Sequence, residues 1–202
     1  MTIYAIVNDF LDPSAAETAA QPVWTIISQS AILQGGNPYF VPDFASRFEA
    51  RTALAVRIGK LGKGIAPRFA SRYVDSAAPA VVMVAADLLD SLRKAGLPWT
   101  TAVSYDRGLA LGKLRPMDMD AIGRCRCSLR IDSAEASQQT DFTPAAKGPA
   151  LEETIAAISR DNTLKTGDLL LIGIAGSGPE VRPDSRATLS IDGEESLAFN
   201  IR

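Results

Sequence analysis

The sequence predicts a β-rich α+β fold, and three observations carry that prediction. Short apolar or alternating runs outnumber helical patterns, the helical patterns are short, and no repeated β-α-β spacing appears that would build a parallel sheet. The 202 residues suffice for one substantial core, and no shift in composition divides them, so 1–202 reads as a single domain.

In chain order, Thr2–Val7 reads as a short strand and Asp12–Gln21 as a loop or one weak helical turn. Val23–Ile27 is a second strand with Trp24 as a core residue, and Gln34-Gly-Gly-Asn-Pro38 is a turn leading into Tyr39–Val41. Arg51–Lys60 alternates small or apolar with polar residues, as a strand buried on one face does. Gly59, Gly62 and Gly64 break it, and Pro67 starts a short helix ending near Val74. Asp75–Pro79 reads as a linker into the buried strand Ala80–Val84. Asp87–Ala95 has helical periodicity with basic residues near its end, and Gly96 and Pro98 stop it. Thr101–Leu111 is strand or irregular, and Arg124–Asp132 is a strand that pairs with Ala136–Phe142. Pro149–Ser159 is an amphipathic helix with Leu151, Ile155 and Ile158 on one stripe. Thr166-Gly-Asp168 turns into the core strand Leu169–Ile172, and Asp192-Gly193 between Arg186–Ile191 and Leu197–Ile201 marks a hairpin.

Composition narrows the function classes. With 47% apolar and 22% charged residues and a formal charge of -2, there is no electrostatic ground to expect nucleic acid or an anionic membrane as partner. The N-terminus lacks a basic stretch and its apolar run is too short for a signal peptide, and no segment has the apolar length of a membrane-spanning helix. The cytoplasm is the expected compartment. There is no histidine, which excludes histidine bases, histidine metal ligands and Ser-His-Asp or Cys-His arrangements. The cysteines, Cys125 and Cys127, fall two apart on one expected strand face. Two thiols cannot complete a tetrahedral zinc site, so they read as a buried structural pair.

The stretch Arg51-Thr-Ala-Leu54 to Ile58-Gly-Lys60 resembles the fumarylacetoacetate hydrolase family, which carries Glu-x-Glu-Leu before a strand ending in Ile-Gly-Lys. Leu164-Lys-Thr-Gly-Asp168 with the following strand, Gly96-Leu-Pro-Trp99, Ser104-Tyr-Asp106 and the final hairpin extend the likeness over Ile32–Arg202, leaving 1–31 outside it. The resemblance implies a mixed-sheet roll of the type of that family's C-terminal domain, with short peripheral helices. It also implies a magnesium, manganese or calcium ion held by carboxylates, which polarises β-dicarbonyl or keto-acid substrates. At the positions where the family pattern puts those groups, this chain has Arg51 and Ala53 for the glutamates and Val82 for the aspartate. Val103 stands for the lysine and Ile174 for the substrate-contacting threonine, the following proline being deleted, and the family's N-terminal histidine has no counterpart. A divalent ion about 4 Å from the Arg51 guanidinium would meet roughly 8 kcal/mol of repulsion at an effective dielectric near 20. No cofactor is therefore expected.

The resemblance then implies a catalytically silent member with a binding or subunit role, as a homodimer or with an active relative. The alternative is an altered hydrolase or decarboxylase acting on an acylpyruvate-like keto acid, and a third reading is a sensor in which Arg51 anchors a small carboxylate. Arg51 can instead pair with Glu49 or Asp106. Among other candidates, Gly173–Pro179 is a glycine-rich loop, but no helix start follows it to hold an anion, so it reads as a turn. Glu49, Asp87, Asp90 and Asp106 could form a displaced carboxylate set, although Asp87 and Asp90 have the spacing of a helix N-terminal charge pair. Arg47, Arg57, Lys60, Lys63, Arg68 and Arg72 read as a solvated face.

Overall fold

The computed structural model describes residues 1–8, 21–144 and 148–202. The expected loop or helical turn over Asp12–Gln21 lies outside them, apart from Gln21. Strands β1 (Ile3–Ile6), β2 (Trp24–Ile27) and β3 (Ile32–Leu33) precede the two longest, β4 (Phe48–Ile58) and β5 (Val74–Ala85). Helix α1 (Ala86–Lys94) follows, then β6 (Leu109–Leu111), β7 (Arg115–Pro116), α2 (Met119–Arg124), β8 (Cys127–Asp132) and β9 (Ser137–Phe142). The chain continues through α3 (Leu151–Asp161), β10 (Leu169–Ile172), β11 (Ser185–Ile191) and β12 (Glu194–Ile201). One sheet has the order β2-β1-β10-β4-β5-β6-β3 with β7 also on β5, and the other has the order β12-β11-β8-β9. The first is mixed, since β1 pairs parallel with β10 and β3 with β6. The second is antiparallel throughout.

Strand β4 is buried on both faces, where alternation predicts one. Ala53 and Ala55 join an apolar cluster with Leu129, Ile131, Ala187, Leu189 and Phe199 of the second sheet. On the opposite face, Leu54, Val56 and Ile58 share a cluster with Leu151, Ile155 and Ile158 of α3, the stripe expected of that helix. Of the polar residues that suggested an exposed face, Arg51 is covered with its counter-ion and Arg57 stays partly exposed near the strand end, while Thr52, on the opposite face, is small enough to be covered.

Three further expectations are corrected. Asp75–Pro79 is the first half of β5 and not a linker. Pro79 fits there because its carbonyl accepts from Gly112 (2.9 Å), on the side away from β4. Its imide nitrogen points the same way, into the break between β6 and β7, so the β4 ladder loses no donor. The Thr101–Leu111 segment, expected as strand or irregular, contains both: Thr100–Ala102 is a 3₁₀ turn and Leu109–Leu111 a strand. Cys125 is not on a strand: it ends α2, a helix capped by the Asp118 carboxylate accepting from Ala121, and only Cys127 starts β8. Both thiols are nonetheless buried and free. Trp24 is half-buried at the edge of the second cluster and not a core residue.

The remaining elements follow their local signals. Pro67–Tyr73 is a 3₁₀ helix with proline at its start. Asp192 (φ 50°) and Gly193 (φ 82°) close the β11–β12 hairpin in the left-handed conformation that such two-residue turns require. Among the described residues no helix is long and apolar enough to cross a membrane.

Candidate functional site

The register of β4 on β5 assembles the site. Arg51 faces Val82 and Ala53 faces Ala80, and residues directly opposite on antiparallel strands share a face. Residues two apart on a strand also share a face, so Glu49, Arg51, Ala53 and Val82 lie together. Val103 arrives from the end of the Thr100–Ala102 turn and Ile174 from the residues just after β10. Both belong to the cluster that holds Ala53 and Val82. Ala53 is 0% exposed, Val82 and Val103 are each 1% exposed and Ile174 2%, so almost no solvent reaches these four side chains. Arg51 is 5% exposed. Clefts of about 450 and 520 Å³ elsewhere on the molecule are lined by other residues.

Charge at the site is internally balanced. Arg51 Nε donates to Glu49 Oε2 at 3.1 Å, and Arg51 Nη2 lies 3.0 Å from the same oxygen. Arg47 Nη1 donates to Glu49 Oε1, and Arg47 Nη2 reaches Asp90 of α1 at 3.1 Å. The order Asp90, Arg47, Glu49, Arg51 therefore alternates in sign from the surface inward. Burial pulls the Arg51 guanidinium below its ordinary pKa, and the Glu49 carboxylate opposes that fall. Of the two carboxylates the sequence offers Arg51, the structure records Glu49 against it. Asp106 is exposed beside Tyr105.

The other candidate carboxylates are distributed along α1. Asp87 accepts from Ser46 N (2.9 Å), Ser46 Oγ (2.5 Å) and Leu88 N (3.0 Å), and these bonds hold its pKa down to about 2. It ties the start of α1 to the entry of β4. Among the described residues no group of three His, Cys, Asp or Glu side chains could hold a metal ion. A hard divalent cation takes oxygen ligands, whereas the positions on this face are a guanidinium, a methyl and an isopropyl group. The nearby carboxylate is already bonded to two guanidiniums. The residues present do not fit such an ion.

The glycine-rich loop has a packing role. It runs along the edge of β4 beyond the end of β10: Ala175 N donates to Thr52 O (2.9 Å), Ala50 N to Pro179 O (2.9 Å) and Val181 N to Phe48 O (2.8 Å). A Cβ on Gly178 would stand 2.7 Å from the Ala50 carbonyl carbon, closer still to its oxygen, and 3.2 Å from Arg51 N. Glycine is therefore needed for close backbone approach.

Sequence reasoning passes over a hydrogen-bonded pair of phenols, Tyr39 buried and Tyr105 half-buried. Tyr105 donates to the Met83 carbonyl of β5 (2.8 Å), so Tyr39, 3.0 Å away, donates to the Tyr105 oxygen. Burial pushes Tyr39 up to about 12 and Tyr105 higher, so both are neutral hydrogen-bonding groups at ordinary pH. No spacing rule links residues so far apart. The signal available was the Tyr39–Val41 run, which pairs with 200–202 at the end of β12.

A family model described as "Fumarylacetoacetate (FAA) hydrolase C-terminal" matches residues 6–199. A mouse mitochondrial oxaloacetate tautomerase is 25% identical over 196 residues, which is 96% of this chain and 87% of that protein. A Dictyostelium discoideum mitochondrial oxaloacetate decarboxylase is 27% identical over 177 residues, 86% of this chain and 79% of its own. Among solved structures, fumarylpyruvate hydrolase from Pseudomonas aeruginosa, in complex with Mn2+ and pyruvate, superposes with a TM-score of 0.78 at 23% identity. It covers 100% of this chain and 89% of that one.

Proposed function

This chain belongs to the fumarylacetoacetate hydrolase family, and from that premise we propose that it keeps the fold without the family's metal-dependent keto-acid chemistry, serving as a binding protein or as a subunit. One observation carries the reading: Arg51 lies buried against Glu49 and opposite Val82, with Ala53 beside it, where the family pattern calls for three carboxylates. Such a face supplies a fixed cation and apolar surface, and neither coordinates a metal nor moves a proton. As a subunit it would pair with itself or with an active relative, and we place it in the cytoplasm, although the tautomerase and decarboxylase relatives are named mitochondrial. Calorimetric titration with Mn2+ and Mg2+ tests the proposal. The expected result is no saturable heat, and micromolar binding that Arg51→Met alters would overturn it.

A second reading rests on the relatives. The likeness to an oxaloacetate tautomerase extends over 96% of this chain, which favours turnover of a keto acid such as oxaloacetate or an acylpyruvate by a rearranged site. Assays of enol–keto exchange and decarboxylation of oxaloacetate, with and without Mg2+, separate the two. Metal-stimulated turnover would establish the second reading and remove the first.

A further inference from the structure

We propose that the connection between β4 and β5 is a docking platform for an acidic protein segment that also carries apolar side chains. From Arg57 to Tyr73 the chain has five basic residues and no acidic one. Arg57 is held by Asp75 through two bonds of 2.8 Å. Among the described residues, Lys60, Lys63, Arg68, Arg72 and the neighbouring Lys165 have no carboxylate within ion-pair distance.

Backbone bonds bring together the segments that carry these five. Gly59 N donates to Tyr73 O (2.8 Å), which brings Lys60 over the Tyr73 ring, 5.7 Å from its centre. Gly62 and Leu164 exchange bonds of 3.0 and 2.9 Å as an antiparallel bridge, which puts Lys165 across from Leu61. The guanidinium carbons of Arg68 and Arg72 each lie 4.8 Å from the centre of the Phe69 ring. The loop is pinned from behind, with Gly64 N on Ser159 O (2.8 Å) and Ile65 N on Ser159 Oγ (2.9 Å). A partner would meet a surface already ordered, and so would lose less entropy on binding.

Two features choose the partner. Clustered like charges repel one another, and an acidic segment would relieve that repulsion. Leu61, between Lys60 and Lys63 in the chain, is 64% exposed, and Phe69, flanked by the Arg68 and Arg72 guanidiniums, is 37% exposed. A phosphate polymer would leave Leu61 in water, whereas a peptide with both carboxylates and leucines would neutralise the charges and cover both apolar groups. The formal net charge of -2 leaves about -7 on the rest of the molecule once these five charges are set aside, which opposes attraction of long polyanions at a distance. This inference stands independently of the chemistry proposed for the Arg51 face.

The test is fluorescence anisotropy of the full chain with a fluorescein-labelled peptide of glutamates interrupted by leucines, at low and at physiological salt. Saturable binding is expected, weakened about tenfold by Arg68→Ala combined with Arg72→Ala and about threefold by Leu61→Ser. These side chains are exposed, so the melting temperature should not move. Absence of saturable binding, or affinity indifferent to both variants, overturns the proposal. So does tighter binding of a single-stranded oligonucleotide or a phosphatidylserine vesicle than of the peptide under the same salt, because the platform would then serve a different class of partner.

Discussion

Substituting Gly178 by alanine tests how the glycine-rich loop supports the site. The new Cβ would sit 2.7 Å from the Ala50 carbonyl carbon, and carbon atoms prefer about 3.5–4.0 Å, so loop and strand must separate by about 1 Å. The obstacle is backbone, with no flexible side chain to swing aside. A separation of that size stretches the Ala50 N–Pro179 O and Val181 N–Phe48 O bonds, now 2.9 and 2.8 Å, beyond hydrogen-bonding range. Leaving buried backbone groups unpaired costs about 1–3 kcal/mol each, so the variant should lose about 3–5 kcal/mol. In a chain of this size that lowers Tm by about 10 °C. Gly123 is the control: it lies exposed in α2 with open space around its Cα, and Gly123→Ala should stabilise by about 0.5–1 kcal/mol. Urea denaturation followed by circular dichroism measures both. A Gly178→Ala protein within about 1 kcal/mol of the parent would refute the close-approach account and return the loop to the ligand-binding candidates.

Three further outcomes are expected. Glu49→Ala removes the carboxylate to which both Arg47 and Arg51 donate, and should cost about 3–5 kcal/mol. The double change Glu49→Leu with Arg51→Met should recover most of that in urea melts, and equal losses from single and double variants would contradict the buried-pair energetics. Asp87 has a folded pKa of about 2, below its unfolded value, so it stabilises the fold above roughly pH 4 and this contribution is lost as pH falls from there towards 2. Asp87→Ala should lose about 1 kcal/mol at neutral pH after solvent screening and show a flatter stability profile across that window. Asp168 accepts from Thr2 N (2.6 Å) and Lys165 N (2.8 Å) while buried, so Asp168→Ala should cost about 2–4 kcal/mol. Hydrogen exchange should then speed up in Ile3–Ile6, and unchanged protection there would rule out the tether.

What was legible in the chain was local. The Asp192-Gly193 turn, the Leu151–Ile155–Ile158 stripe and the proline at the head of the Pro67–Tyr73 helix each carry their cause within a few residues. Arg51 and Glu49 are two apart on one strand, so period-two geometry already made them neighbours. Helix α2 was equally available through Asp118, three residues before the amide it caps, but its six residues hold too few apolar positions to show a period. The rest depended on the fold. Aspartate, alanine and proline within 75–79 have low strand propensity, and only the position of Gly112 explains why Pro79 is tolerated in β5. The two-sided burial of β4 required knowing that α3 and the second sheet close on opposite faces of a strand rich in alanine.

The tight enclosure around Ala53 bears on how this protein can evolve. A glutamate arriving there alone would be an unbalanced charge at a position that is 0% exposed, beside a guanidinium already matched to Glu49. An aspartate at Val82 would meet the same penalty before any cation could offset it. Building a set of oxygen donors on this face would therefore require several changes at once. Single changes at this interior are thereby penalised, whereas the exposed positions carry no such barrier.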